Sequence, residues 1–160
     1  MEQSTSRGPA VQAPPQLLYM FPLLSGFVIQ HFVPIRIVTG AEPARVLHLV
    51  GAAEIFIGAA LMAWAVATFK RMQTPIIPIR PARTLVAEGP FRLTRNPMYL
   101  AFALIYLGVA FVANAFWPLL FLPEAVVLTY LLAIKREEAY LTREFGDSYP
   151  AYCARVRRRV

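Results

Sequence analysis

Four apolar stretches divide the chain. Each approaches the roughly 20 residues that a helix needs to cross a ~30 Å hydrocarbon core. They cover about 16–38, 46–69, 98–113 and 116–134. The first is interrupted by Pro22 and Pro34, and the fourth carries Pro118 and Pro123 near its start. Asn114 is the one strongly polar residue between the third and fourth stretches, which predicts a tight helical hairpin. Residues 1–15 are polar and include three prolines, and they read as a disordered tail. A signal peptide would instead need a basic start followed at once by an apolar core. The expected fold class is all-α, an integral membrane bundle of four transmembrane helices with a cytoplasmic C-terminal helical segment. One domain over residues 16–160 accommodates it.

Composition strengthens this reading. Of the 160 residues, 58% are apolar and 16% charged. A soluble domain carries roughly 25% charged residues. No Gly-rich phosphate loop or dinucleotide fingerprint is present, so a nucleotide-binding α/β domain is excluded. A single cysteine, Cys153, rules out an intrachain disulfide or a Cys-based zinc cluster. No metal is expected.

The net charge of +7 sits at the ends of the apolar runs. Anionic lipid headgroups are therefore the expected partner, and nucleic acid is not. Between the second and third stretches lie Lys70, Arg71, Arg80, Arg83, Arg92 and Arg95. The C-terminal tail holds Lys135, Arg136, Arg143, Arg155, Arg157, Arg158 and Arg159. Basic segments stay on the cytoplasmic side. Two spans separate these two segments, so both face the cytoplasm, both termini lie inside, and Arg36, Arg45 and the Asn114 turn lie outside. The chemically varied segments 70–95 and 135–160 then share one membrane interface, where any reaction is expected.

Segment 70–95 contains Pro75, Pro78, Pro81 and Pro90, a spacing that no long helix survives. It leads into Glu88-Gly-Pro-Phe-Arg92 and Arg95-Asn-Pro-Met-Tyr99. Asn96-Pro97 reads as an N-cap followed by proline at the first helical position. The unpaired N–H groups of Met98 and Tyr99, flanked by Arg92 and Arg95, suit an anion. The plainer alternative is a capped membrane helix with snorkelling arginines.

In the tail, Ile134, Leu141 and Phe145 share one helical stripe and Gly146 is a natural stop. Asp147 opens a second short helix with Tyr149, Tyr152 and Val156 on one side. Glu137 and Glu138 are adjacent where the helix leaves the membrane. They form a solvated pair with nearby arginines, or they hold a cationic ligand, or they lock Arg92 or Arg95 in place.

Taken in order, Glu88-Gly-Pro-Phe-Arg92, Arg95-Asn-Pro-Met-Tyr99, an apolar hairpin, Glu137-Glu138 and Phe145-Gly-Asp-x-Tyr-x-x-Tyr152 resemble a known family. It is the isoprenylcysteine carboxyl methyltransferases, a group that also takes in membrane phospholipid N-methyltransferases. The resemblance covers about 69–158. It implies an S-adenosylmethionine-dependent methyltransferase working at the cytoplasmic interface. It implies a cofactor held by Arg95, Asn96, Pro97, Met98 and Tyr99 from the first block and by Glu137 and Glu138 from the second, with Phe91 nearby. Arg71 matches a basic residue that orients substrate, which makes it the candidate catalytic side chain. Asn96 stands where eukaryotic members have histidine, and it cannot titrate near neutrality.

The cofactor's chemistry agrees with these residues. Its carboxylate suits Arg95 and the helix start, and its ammonium suits Glu137 or Glu138. Its sulfonium or adenine suits the ring of Tyr99 or Phe91. Methyl transfer needs alignment more than a dedicated nucleophile. The acceptor is expected to be a lipid or small hydrophobic molecule entering from the bilayer. The basic, proline-rich composition and Asn96 point to a bacterial inner membrane.

Glu54 and Glu124 lie at matched depth in the second and fourth stretches. Intramembrane carboxylates are functional candidates by default, and these two are expected to face each other or a shared polar pocket. They support one alternative, a non-enzymatic subunit or small transporter. A nicotinamide-dependent membrane reductase is the other. Ala59, Ala63 and Ala67 are expected to form a close-packing helix face.

Overall fold

The computed structural model describes residues 14–73 and 84–157. Residues 1–13 of the expected disordered tail, the prolines at 75, 78 and 81 and the arginines at 80, 83, 158 and 159 lie outside these residues, whereas Pro15, the last residue expected in that tail, opens α1. Within them the chain is helical: α1 (Pro15–Phe32), α2 (Ala41–Arg71), α3 (Pro97–Val112), α4 (Phe116–Thr129), α5 (Lys135–Phe145) and α6 (Ser148–Arg155). A 3-10 turn over Gly89–Arg92 precedes α3. A wide π turn over Tyr130–Ile134 joins α4 to α5, making one continuous helix Phe116–Phe145. Its apolar part ends at Ile134, and the charged α5 extends beyond it.

Among the described residues, two helices are long and apolar enough to cross a membrane, Ala41–Arg71 and Phe116–Phe145. α1 and α3 are shorter, at 18 and 16 residues. The outward surface carries large apolar side chains, among them Phe21, Phe32, Phe56 and Leu49. An apolar surface of this extent suits a lipid environment, and the protein associates with membranes.

The first apolar stretch was expected to remain helical to residue 38, but α1 ends at Phe32. Pro34 disfavours helix at the residue before it. The loop after α1 is held by Asn114 instead. Asn114 sits at φ +46° between α3 and α4. Its Oδ1 accepts from the N–H groups of Ile37 and Val38, both at 3.0 Å, and its Nδ2 donates to Val38 O at 2.9 Å. The hairpin turn thereby also anchors the connection from α1 to α2.

α3 is central, packed on α2 along one side and on α4 and α1 along another, while α1 packs on α4. The α2–α3 pair is antiparallel and very close. A Cβ on Gly51 would meet Gly108 O at 2.7 Å, and one on Gly58 would meet Ala101 O at 2.9 Å. Small residues at seven-residue spacing, Gly51, Gly58 and Ala65, form the buried stripe of α2. Ala59, Ala63 and Ala67, expected to pack, are all exposed. They lie on the opposite side of α2 from that stripe.

The expected meeting of Glu54 and Glu124 does not occur. α2 and α4 both pack on α3 and share at most marginal contact with each other. Glu54 is half-buried and Glu124 exposed. Matched depth was legible in the sequence; the order of helices around the bundle was not.

Candidate cofactor site at the start of the third helix

The approach to α3 is pinned from two sides. Gly89, at φ +57°, lies so close to α2 that a Cβ would meet Thr68 Oγ1 at 2.6 Å. Only glycine fits both that conformation and that approach. Phe91 is buried against Ala65 and Val86, its ring edge-on to Phe69 at 5.1 Å. From the other side, the Tyr152 hydroxyl of α6 donates to Phe91 O at 2.7 Å. Burial, with the field of Cys153 adding to it, pushes the Tyr152 hydroxyl up to about 12, so it remains a neutral donor.

Arg95 is the hub. Its Nη1 donates to Glu138 Oε1 at 3.2 Å and to Cys153 Sγ at 3.0 Å. Both partners of the Arg95–Glu138 ion pair are well covered, at 17% and 18% exposure. Burial works against the Arg95 charge, but the Cys153 hydrogen bond and the fields of Cys153 and Glu138 outweigh it, so its pKa moves up. Arg95 Nε is buried and makes no hydrogen bond.

Asn96 occupies the N-cap position of α3 with Pro97 behind it, as expected, but its side chain makes no capping bond. Asn96 N donates instead to Thr94 Oγ1 at 3.3 Å. Asn96 is buried, 8% exposed, and its Nδ2 has no partner. Helix geometry leaves the N–H groups of Met98 and Tyr99 without intrahelical acceptors. Unpaired donors thus collect at one helix start beside a guanidinium.

One turn on, the Tyr99 hydroxyl donates to Glu137 Oε2 at 2.9 Å. Tyr19 of α1 donates in turn to Tyr99 O at 3.2 Å. Glu137 keeps part of its surface accessible, yet enclosure pushes its carboxyl above the ordinary carboxylate range. The Tyr99 hydroxyl opposes this and the neighbouring Glu138 adds to it. The π turn over Tyr130–Ile134 lies just before these two glutamates. Such wide turns are frequent at functional sites, because one extra residue re-aims the side chains after it.

Most of the expected set therefore comes together: Arg95, Asn96, Pro97 and Tyr99 with Glu137 and Glu138. Met98 and Phe91 belong instead to the apolar cluster under the 3-10 turn. The rings of Phe91 and Tyr99 are 8% and 6% exposed, so neither offers an open face to an adenine or sulfonium. Tyr99 contributes its hydroxyl instead. Arg71 stands apart, exposed and loosely paired with Glu88 at 3.7 Å. Tyr19 gave no signal in the sequence. Cys153 was visible only as a lone cysteine, and its place on Arg95 emerges from the folding of α6.

A largely covered guanidinium with a buried, unpartnered Nε, an amide donor without a partner and two carboxylates match a zwitterionic ligand bearing a carboxylate and an ammonium. The phospholipid methyltransferase family matches over residues 46–148. That is well over half of the chain, and it includes every residue of this cluster except Tyr19 and those of α6. The chain belongs to this family of membrane methyltransferases. No curated protein and no solved structure matches it.

Proposed function

We propose that the protein transfers a methyl group from S-adenosylmethionine to an amphipathic or lipid-soluble acceptor at the cytoplasmic face of a bacterial inner membrane. The observation that carries this reading is the double link between the two sequence blocks. Arg95 is paired with Glu138, and Tyr99 with Glu137, beside the unpartnered Asn96 Nδ2. When bound, the cofactor supplies an electrophilic methyl group on a sulfonium.

The chain's own residues do the rest. Arg95 Nε, Asn96 Nδ2 and the N–H groups at the start of α3 receive the carboxylate. Glu137 and Glu138 face the ammonium, and one of them retains its present partner. Tyr99 holds Glu137 in position, and α6 covers Arg95 from water. This is catalysis by positioning. Arg71, at the exposed end of α2, is left as an orienting group for an acceptor headgroup.

In this reading α1, α2, α3 and the continuous helix Phe116–Phe145 all span the membrane. A cysteine placed at the exposed Arg143 is labelled from the cytoplasm, and one at the exposed Ala113 from outside. Labelling of both from one side contradicts the four-span arrangement. The absence of close α2–α4 packing weighs against a Glu54–Glu124 pair, on which the transporter alternative relied.

The test is transfer of labelled methyl from S-adenosylmethionine into the lipid extract of membranes containing the protein. Incorporation above control membranes that disappears in Arg95→Ala supports the proposal. Incorporation unchanged by Arg95→Ala overturns it.

A further inference from the structure

Neither partner of the Tyr99–Glu137 bond lies on α1, yet α1 touches Tyr99 and the π turn that leads into Glu137. The bond joins α3 to α5, two helices that share at most marginal contact with each other. A hydroxyl and a carboxyl on such helices stay at 2.9 Å only if a third element sets the spacing. The buried stripe of α1, Pro15, Leu18, Tyr19, Pro22 and Gly26, recurs at three- and four-residue intervals and faces the bundle. Through it α1 packs on both α3 and α4.

Leu18 is buried in one cluster with Tyr99, Ala133 and Ile134. That cluster joins the first turn of α3 to Ile134, the last residue of the π turn. Tyr19, next in sequence, is buried and donates its hydroxyl to Tyr99 O at 3.2 Å. Its ring stacks on Phe102 at 5.7 Å and meets Tyr106 edge-on at 6.4 Å. Phe102 and Tyr106 lie about one and two turns beyond Tyr99 on α3. The rings thus fix where the Tyr19 hydroxyl points, and the hydroxyl in turn holds the backbone of Tyr99. The Arg95–Glu138 pair ties the same two elements, but in the proposed function both of those groups also face the ligand. The contacts of α1 have no such second use.

We propose that Tyr19 is a positioning residue of the site: with Leu18 packed beside it, its hydroxyl holds Tyr99 where the Tyr99 hydroxyl meets Glu137. Tyr19 acts through Tyr99 and does not touch the ligand itself. What the link binds rests on the cofactor reading; the link is a property of the fold. Without the Tyr19 hydroxyl, Tyr99 is released and its own hydroxyl engages Glu137 less firmly. Tyr99 from α3 and Glu138 on α5 are the groups that bear on the Glu137 carboxyl, the first lowering its pKa and the second raising it. A weaker Tyr99 contact therefore moves that carboxyl further up.

Two readouts on the full chain in detergent test this. Tyr19→Phe removes the hydroxyl and keeps both ring contacts, so the variant is expected to fold. The first readout needs no cofactor: infrared titration of the Glu137 carboxyl band, identified by its absence in Glu137→Gln. Tyr19→Phe should titrate at higher pH than wild type. The second is S-adenosylmethionine affinity in a double-mutant cycle of Tyr19→Phe with Tyr99→Phe. Tyr19→Phe should weaken binding roughly threefold or more, the scale of one net hydrogen bond. It should add little once Tyr99→Phe has removed the hydroxyl that Tyr19 aims. An unmoved Glu137 titration overturns the proposal, and so does an equal loss of affinity in both backgrounds. A shifted titration in a protein that does not bind S-adenosylmethionine upholds the positioning role and overturns the cofactor reading instead.

Discussion

The Tyr99 hydroxyl donates to Glu137 Oε2 at 2.9 Å, joining the first turn of α3 to the first turn of α5 across 38 residues of chain. This bond holds a carboxylate whose enclosure favours its neutral form. A group so placed is expected to serve binding at some expense of stability.

Glu137→Gln keeps an acceptor for Tyr99 and removes the charge. The raised folded-state pKa means that ionised Glu137 destabilises the native protein. The penalty is absent below the ordinary carboxylate range, where both states are protonated, and is complete above the raised value. Thermal unfolding in detergent at a series of pH values should therefore show Glu137→Gln more stable than wild type at neutral pH, with the gap closing on acidification. A wild type that gains stability relative to the variant as pH rises would mean that Glu137 is better solvated than its surroundings imply.

The α2–α3 contact should be intolerant of any side chain at its closest point. A Cβ on Gly108 would meet Gly51 O at 2.5 Å, a backbone atom that cannot swing away. Gly108→Ala should cost roughly 1–3 kcal/mol or more through overpacking. Ala59→Leu, on the exposed face of α2, should cost little in the same unfolding assay. Equal tolerance at both positions would contradict the packing.

Asn114 should be the most sensitive polar residue of the outer end. Asn114→Ala loses three hydrogen bonds and keeps a positive φ, a loss of roughly 2–4 kcal/mol by summing ordinary hydrogen-bond contributions. Asn114→Asp retains both acceptor contacts and loses one donor, so it should be milder. Denaturant or thermal midpoints rank the two, and the reverse order would show that the donor to Val38 O matters more than the two accepted bonds.

Much of this arrangement was legible in the sequence, for reasons that differ by element. The apolar lengths located α2, α3 and the α4 helix within a few residues, because burial in lipid demands long apolar runs. Asn96-Pro97 marked the start of α3, since proline is favoured in the first helical turn and Asn at the cap before it. Tyr149, Tyr152 and Val156 shared the predicted face of α6 and are all buried. What failed depended on contacts between elements. The end of α1 depends on Pro34 together with Asn114, nearly eighty residues away. The tight face of α2 uses Gly51 and Gly58, which a search for alanine stripes overlooks. The separation of Glu54 from Glu124 arises because α3 lies between their helices. Tyr19 reaches the candidate site only because α1 folds back beside α3, and nothing local announces it.

The central claim is that the Arg95–Glu138 and Tyr99–Glu137 cluster holds S-adenosylmethionine. Isothermal titration of the purified protein in detergent with S-adenosylmethionine tests it most directly, in wild type and in Arg95→Ala. Saturable binding at one site per chain, weakened in Arg95→Ala by roughly 1.5–3 kcal/mol as loss of a charged hydrogen bond implies, is the predicted result. Absence of binding by the folded wild type, or equal affinity in a folded Arg95→Ala, would contradict it.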